Sequence, residues 1–320
     1  MIGIRTPFRV SFTGGSTDLP SFYRKKTGKV ISTSINKFMY HFIHKFDKEL
    51  IQIKYSQTEL VEDPSQIKHR IVKKLAEEND LRGLDINSIA DIPKGSGLGS
   101  SSAYTVGLIN GINALHGKIL SKESLAKASA DLEINKLMEP IGKQDHYASA
   151  FGGLNVITFN KDDTVNVESI PLEEQGINYL NSSFLLVKVG ETRSASEILF
   201  DQNKSYEDDT NIELGNNILK LVDPMVSAIK SYNIKEIGEI LNMNWNIKNN
   251  LSKLVSNSEV DQFIADITSN KGIYGAKLLG AGAGGYILAT GEPEVLNKLM
   301  FKNTVSFKFE KNGSTIIYQD

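Results

Sequence analysis

The chain has no cysteine, which excludes disulfide staples and any thiolate zinc site. Its five histidines are scattered, and no His-Glu-x-x-His pair occurs, so a metal here would be held by oxygen. No apolar run reaches the about 20 residues that a membrane span needs. The segment Met1 to Val10 carries Arg5 and Arg9 and lacks an apolar leader core, so a cytoplasmic location is expected. A net charge of −2 leaves no basic excess for nucleic acid or an anionic membrane, and neither is expected as a partner. Two nucleotide fingerprints are also missing. Gly-x-x-x-x-Gly-Lys-Ser/Thr is absent, and the dinucleotide pattern fails because Ser100 stands where a glycine is required. What remains is a 320-residue chain with 40% hydrophobic and 23% charged residues, a soluble globular composition long enough for two domains. Small-molecule chemistry fits it best.

The most informative segment runs from Pro93 to Ser102, Pro-Lys-Gly-Ser-Gly-Leu-Gly-Ser-Ser-Ser, directly ahead of the apolar, helix-compatible run Ala103 to Leu115. Glycines at 95, 97 and 99 let backbone N–H groups approach an anion closely. The unpaired N–H groups and positive dipole end of a helix favour negative charge there. Three consecutive hydroxyls, Ser100, Ser101 and Ser102, exceed what one helix cap needs. A tight turn plus a cap is the plain structural alternative; a triphosphate cradle is the reading preferred for Pro93, Gly95, Ser96, Gly97, Leu98, Gly99 and the three serines.

Elsewhere the pattern alternates strands and helices. Ile4 to Phe12 reads as a strand entering the turn Gly14-Gly15-Ser16, and Val30 to Phe46 and Leu50 to Tyr55 supply further strands. Ser121 caps a helix expected to run to about Met138, with Glu133 about 100° round from Leu132, at the edge of a cleft. Gly152-Gly153 opens a strand over Leu154 to Phe159, followed by a polar segment to Gln175. A second domain begins near residue 180, with a short strand at Phe184 to Val189. Helices then follow over Asn211 to Ser231, interrupted near Pro224, and over Ile234 to Leu254 and Glu259 to Thr268. Strand, glycine turn and strand follow over Ala276 to Ala289, and Asn312-Gly313 signals a hairpin. The sum is an α+β sandwich.

Three glycine-marked segments stand in order: Arg5-Thr-Pro-Phe-Arg-Val-Ser-Phe-Thr-Gly-Gly-Ser-Thr-Asp18, the 93–102 loop, and Gly275-Ala-Lys-Leu-Leu-Gly-Ala-Gly-Ala-Gly-Gly285. Together they resemble the three motifs of the GHMP kinase superfamily. Pairing the first with Gly142-Lys-Gln-Asp-His-Tyr-Ala-Ser-Ala-Phe-Gly-Gly153 is most similar to the branch that phosphorylates D-glycero-D-manno-heptose 7-phosphate, although His146 stands where that branch suggests glutamine. The resemblance implies a two-domain fold: a ribosomal-protein-like α/β domain over 1–178 that binds ATP, and a ferredoxin-like α+β domain over 179–320. It implies ATP and Mg²⁺, with transfer of the γ-phosphoryl to the anomeric hydroxyl of the sugar phosphate.

By the same resemblance, Asp145 is the acid beside the attacking oxygen, and Arg9 the cation near the transferred phosphoryl. Asp18, with Gly14, Gly15, Ser16 and Thr17, contacts the sugar, and Ser101 and Glu133 hold the metal. Gly282 and Gly284 belong to a second close-approach turn that supports the phosphate loop and the substrate pocket. Lys143 faces either the phosphate side or solvent. Arg193 is a candidate clamp on the sugar's distal phosphate. The readings set against this one are a different kinase acceptor such as galactose, a non-catalytic ATP and sugar sensor, and a nicotinamide dehydrogenase, which the failed fingerprint disfavours. The sequence sets no oligomeric state; a homodimer is one option.

Overall fold

A computed structural model describes residues 1–46, 49–190, 195–299 and 303–320. The first strand, Ile2–Thr13, is buried along nearly its whole length, on both faces. Phe8, Val10 and Phe12 enter the main apolar core, while Arg9 and Ser11 point to the other face and border a cavity of about 480 Å³. Its pairing with Gly28–Lys45 shifts register between Pro7 and Phe8, just ahead of Arg9. Such irregularities re-aim side chains next to functional sites. The described residues form an eight-stranded sheet in which these two strands are neighbours. Leu84–Ala90, Ile51–Lys54 and Thr58–Val61 continue it on one side, and Leu154–Phe159 and Val165–Ser169 pair off Gly28–Lys45 on another path. All its pairings are antiparallel except that of Ile51–Lys54 with Leu84–Ala90. The helix Ser100–Leu115 packs on the first two strands and is buried on nearly every side. That burial fixes where its N-terminus points.

A second, four-stranded antiparallel sheet runs Thr304–Val305, Phe184–Val189, Gly285–Gly291, Ile273–Leu278. The helices Ile234–Asn249 and Ser258–Thr268 pack on it. Among the described residues no helix is long and apolar enough to cross a membrane.

Several elements differ from the sequence expectation. The Asn312-Gly313 hairpin does not form. Instead the last strand, Thr315–Gln319, pairs antiparallel with the first, Ile2 opposite Gln319, and the 312–313 turn presses on the backbone of Gly152. An Asn-Gly signal is local, whereas this pairing joins the two ends of the chain. The polar stretch after Phe159 holds an edge strand, Val165–Ser169, and a helix, Glu174–Ser182. The helix break expected near Pro224 falls at residues 220–221, and Pro224 sits in the first turn of Val222–Lys230, where a missing N–H costs nothing. The helix capped by Ser121 is α-helical only over Lys122–Asp131. It then widens into a π-turn over Leu132–Lys136, in which Leu137 N–H reaches back to the Leu132 carbonyl at 2.9 Å.

Candidate active site

The glycine loop lies between the two sheets. Gly99 is the N-cap of Ser100–Leu115 with φ +77°, and the first helical bond runs from Ala103 N–H to the Gly99 carbonyl at 2.9 Å. The N–H groups of Ser100, Ser101 and Ser102 therefore have no intrahelical acceptor. Gly95, Gly97, Gly99 and these serines border a cavity of about 480 Å³, while Pro93 and Ser96 border a smaller one of about 270 Å³ behind the loop. Leu98 is fully buried, and its carbonyl accepts from Arg9 N–H at 3.0 Å, so the loop is tied to the first strand. Gly97 has φ +77°, and a Cβ there would stand 2.5 Å from the Leu279 carbonyl oxygen. The third glycine segment thus touches the second backbone to backbone, an approach that no side chain permits. The free N–H groups at the helix start, with glycines and serines bordering the cavity beside them, fit a phosphate chain.

Asp145 is the second residue of the helix Gln144–Phe151. Arg9 grips it with both arms of the guanidinium, Nε to Oδ1 at 2.7 Å and Nη2 to Oδ2 at 2.7 Å, while Nη1 donates to the Gly97 carbonyl at 2.5 Å. One planar fork therefore fixes the acid relative to the phosphate loop. Gln144 adds an Nε2–H bond to Asp145 Oδ1 at 3.1 Å and is itself held by Ser11 Oγ at 3.0 Å.

Asp18 is buried beside this pair. Its Oδ1 accepts from Ser16 N–H and its Oδ2 from Gln144 N–H, each at 3.1 Å. Burial, and then the nearby Asp145 charge, push its carboxyl above the ordinary value. Gly142 is needed here, because a Cβ would lie 1.9 Å from Asp18 Oδ2. Ser16 Oγ meets Tyr206 Oη at 2.7 Å, which joins the first turn to the second half of the chain.

Glu133 lies in the π-turn and is 3% exposed. The expectation that it edges a cleft holds only in that it borders the cavity; the wider turn carries both Leu132 and Glu133 inward. Burial alone would raise its carboxyl, yet hydrogen bonds with His146 and Ser101 hold it below the usual value. Ser101 Oγ donates to Oε2 at 3.2 Å, and His146 Nε2 lies 3.0 Å from Oε1. An ionised carboxylate only accepts, so Nε2 carries the hydrogen. His146 therefore backs Glu133 rather than facing the cavity. A buried carboxylate and a hydroxyl are hard oxygen donors of the type Mg²⁺ takes, one or two per ion with waters and phosphates completing the shell.

Of the other candidates, Gly15 and Ser16 border the cavity, whereas Gly14 and Thr17 lie behind it, Thr17 Oγ1 bonding the Gly14 carbonyl at 2.7 Å. Gly282 and Gly284 do not border it either; Gly282 packs on the Val255 backbone. Lys143 turns away. Its ammonium donates to the Asp163 carbonyl at 2.9 Å and lies 4.7 Å from the centre of the Tyr23 ring. Arg193 lies outside the described residues. Sequence reasoning missed Lys248 and Lys277, both buried and both bordering the cavity. A signal existed for Lys248, which falls on the apolar face of its helix in step with Ile237, Leu241 and Asn244.

Comparison with known proteins identifies the family of the chain. The family description "GHMP kinases N terminal domain" matches residues 66–153, and "GHMP kinases C terminal" matches residues 225–310. Among curated relatives, the D-glycero-alpha-D-manno-heptose 7-phosphate kinase of Campylobacter jejuni is 27% identical over 307 residues, covering 91% of this chain and 90% of that protein. The galactokinase of Thermosipho africanus is 26% identical over 331 residues, covering 93% and 92%. The fold matches the crystal structure of a D-glycero-D-manno-heptose 1-phosphate kinase from Bacteroides thetaiotaomicron with a TM-score of 0.80 at 22% identity, over 100% of both chains. With two domains of one family spanning more than half of its length, the chain belongs to the GHMP kinases, phosphotransferases that act on an alcohol group.

Proposed function

We propose that this kinase uses ATP and Mg²⁺ to phosphorylate the anomeric hydroxyl of D-glycero-D-manno-heptose 7-phosphate, giving the 1,7-bisphosphate. The observation that carries the chemistry is the Arg9–Asp145 fork, anchored on the Gly97 carbonyl at the edge of the glycine cradle. The acceptor choice rests on the first-segment and 142–153 residues and on the similarity to the C. jejuni heptose 7-phosphate kinase.

The loop N–H groups at 100–102 hold phosphate oxygens, and Ser101 and Glu133 are the residues to hold the metal. An Mg²⁺ held by them would supply positive charge to offset that of the phosphate oxygens. Phosphoryl transfer passes through a loose transition state, so positioning matters more than a strong base. Asp145 orients the attacking hydroxyl and takes its proton as the new P–O bond forms and the bond to the ADP oxygen breaks. Arg9 keeps that acid aimed and presents positive charge to the transferring group. Asp18, both of whose oxygens are already positioned by backbone N–H groups, receives a sugar hydroxyl.

An ADP-release assay over heptose 7-phosphate, heptose 1-phosphate, galactose and mevalonate tests the acceptor. Heptose 7-phosphate should give the highest kcat/KM, and phosphorus NMR should show a new anomeric phosphate ester. Turnover of galactose without turnover of heptose 7-phosphate would overturn the assignment.

A further inference from the structure

Two buried lysines approach the reacting centre from the second sheet and its covering helix. Lys248, at 7% exposure, donates to the Gly280 carbonyl at 2.5 Å; Lys277, at 3%, donates to the Phe12 carbonyl at 3.0 Å and to Asn244 Oδ1 at 2.7 Å. Among the described residues neither forms an ion pair. The carboxylates nearby are already committed: Asp145 to Arg9, and Asp18 to two backbone N–H groups. Buried cations are normally paired, because desolvation is costly. Beside them Gln202, at 1% exposure, borders the same cavity and donates to the Ala281 carbonyl at 3.0 Å, and among the described residues its buried Oε1 has no partner. Two unmatched ammonium groups and an unmatched acceptor describe a ligand that brings both negative charge and a hydroxyl.

We infer that Lys248 and Lys277 form a phosphate-binding subsite in the main cavity, with Gln202 accepting a hydroxyl of the same ligand. The inference rests on the kinase reading of the cavity. The phosphate is either the acceptor's own or the γ-phosphoryl of the nucleotide, and these are separable by experiment. Burial pushes Lys248 down to about 8, and burial followed by repulsion from Lys248 pushes Lys277 well below its ordinary value. A phosphate placed between them would favour the charged form of both lysines.

The test is calorimetric titration of inorganic phosphate, and of the β,γ-imido analogue of ATP, into the full chain and its Lys248→Met and Lys277→Met variants, with a thermal melt of each. Methionine keeps the apolar stem and removes an unpaired charge at the cost of one bond to the half-buried Gly280 carbonyl, so Lys248→Met should remain folded with a melting temperature near the parent's; if loss of the Phe12 bond unfolds Lys277→Met, Lys248→Met carries the test alone. Suppose phosphate binds even with the analogue present and weakens about tenfold or more in the variants. The subsite then belongs to the acceptor's phosphate. If instead the analogue weakens by that factor while ADP affinity holds, it belongs to the γ-phosphoryl. Phosphate and analogue affinities both within about twofold of the parent in every folded variant would overturn the inference. Failure of heptose 7-phosphate as an acceptor would leave these affinities unchanged, so the two readings fail separately.

Discussion

Asp145→Asn should lower kcat by about 10²- to 10⁴-fold, the usual contribution of a positioned acid–base group, while nucleotide affinity stays within about twofold. Asparagine keeps the shape but loses the charge and the capacity to take a proton. Its amide also turns an N–H toward Arg9, whose Nε and Nη2 both require an acceptor. Some stability goes with it. The loss should stay below the about 3–5 kcal/mol of a broken, fully buried pair, because Asp145 remains 25% exposed. A melt therefore accompanies the kinetics, so that lost turnover is measured on folded enzyme. Turnover within about tenfold of the parent would remove Asp145 from the role assigned to it.

Gly97→Ala should have the largest effect on the cradle. At φ +77° an alanine costs about 1–2 kcal/mol, and its Cβ would meet the Leu279 carbonyl oxygen at 2.5 Å and carbon at 2.9 Å. Those atoms are backbone and cannot rotate away, which adds about 1–3 kcal/mol for overpacking. The displaced loop also carries the Gly97 carbonyl that Arg9 holds, so nucleotide affinity and turnover should fall together, each by tenfold or more. Gly117→Ala is the control. Gly117 has φ +71° with nothing within 4 Å of the added Cβ, so it should lose only the backbone cost and bind nucleotide as before. Equal nucleotide affinity in the two variants, measured by calorimetry, would show that the contact between the glycine segments does not shape the site.

The parts of this site that were legible in the sequence are those whose chemistry is local. A glycine loop ahead of a helix states its own backbone geometry, whereas Asp145 and Glu133 were singled out by resemblance to the family's motifs, and both border the cavity. Less legible were the parts that depend on approach from a distance. Lys143 is two residues from Asp145, but the helix start at Gln144 sends it outward to Asp163. Lys277 lay within a quoted glycine segment, yet only the pairing of its strand in the second sheet, beneath Phe12, shows that its ammonium is buried. His146 had no readable role until the π-turn placed Glu133 against it. The closing strand escaped for the same reason, since its partner lies at the opposite end of the chain.

The most direct test of the central claim is the structure of the enzyme with the imido analogue of ATP, Mg²⁺ and heptose 7-phosphate. The account predicts the γ-phosphorus between the N–H groups of residues 100–102 and Arg9, with an acceptor oxygen within hydrogen-bond distance of Asp145. Nucleotide phosphates lodged elsewhere, for example in the smaller cavity beside Lys188 and Tyr286, with Asp145 facing no acceptor hydroxyl, would contradict it.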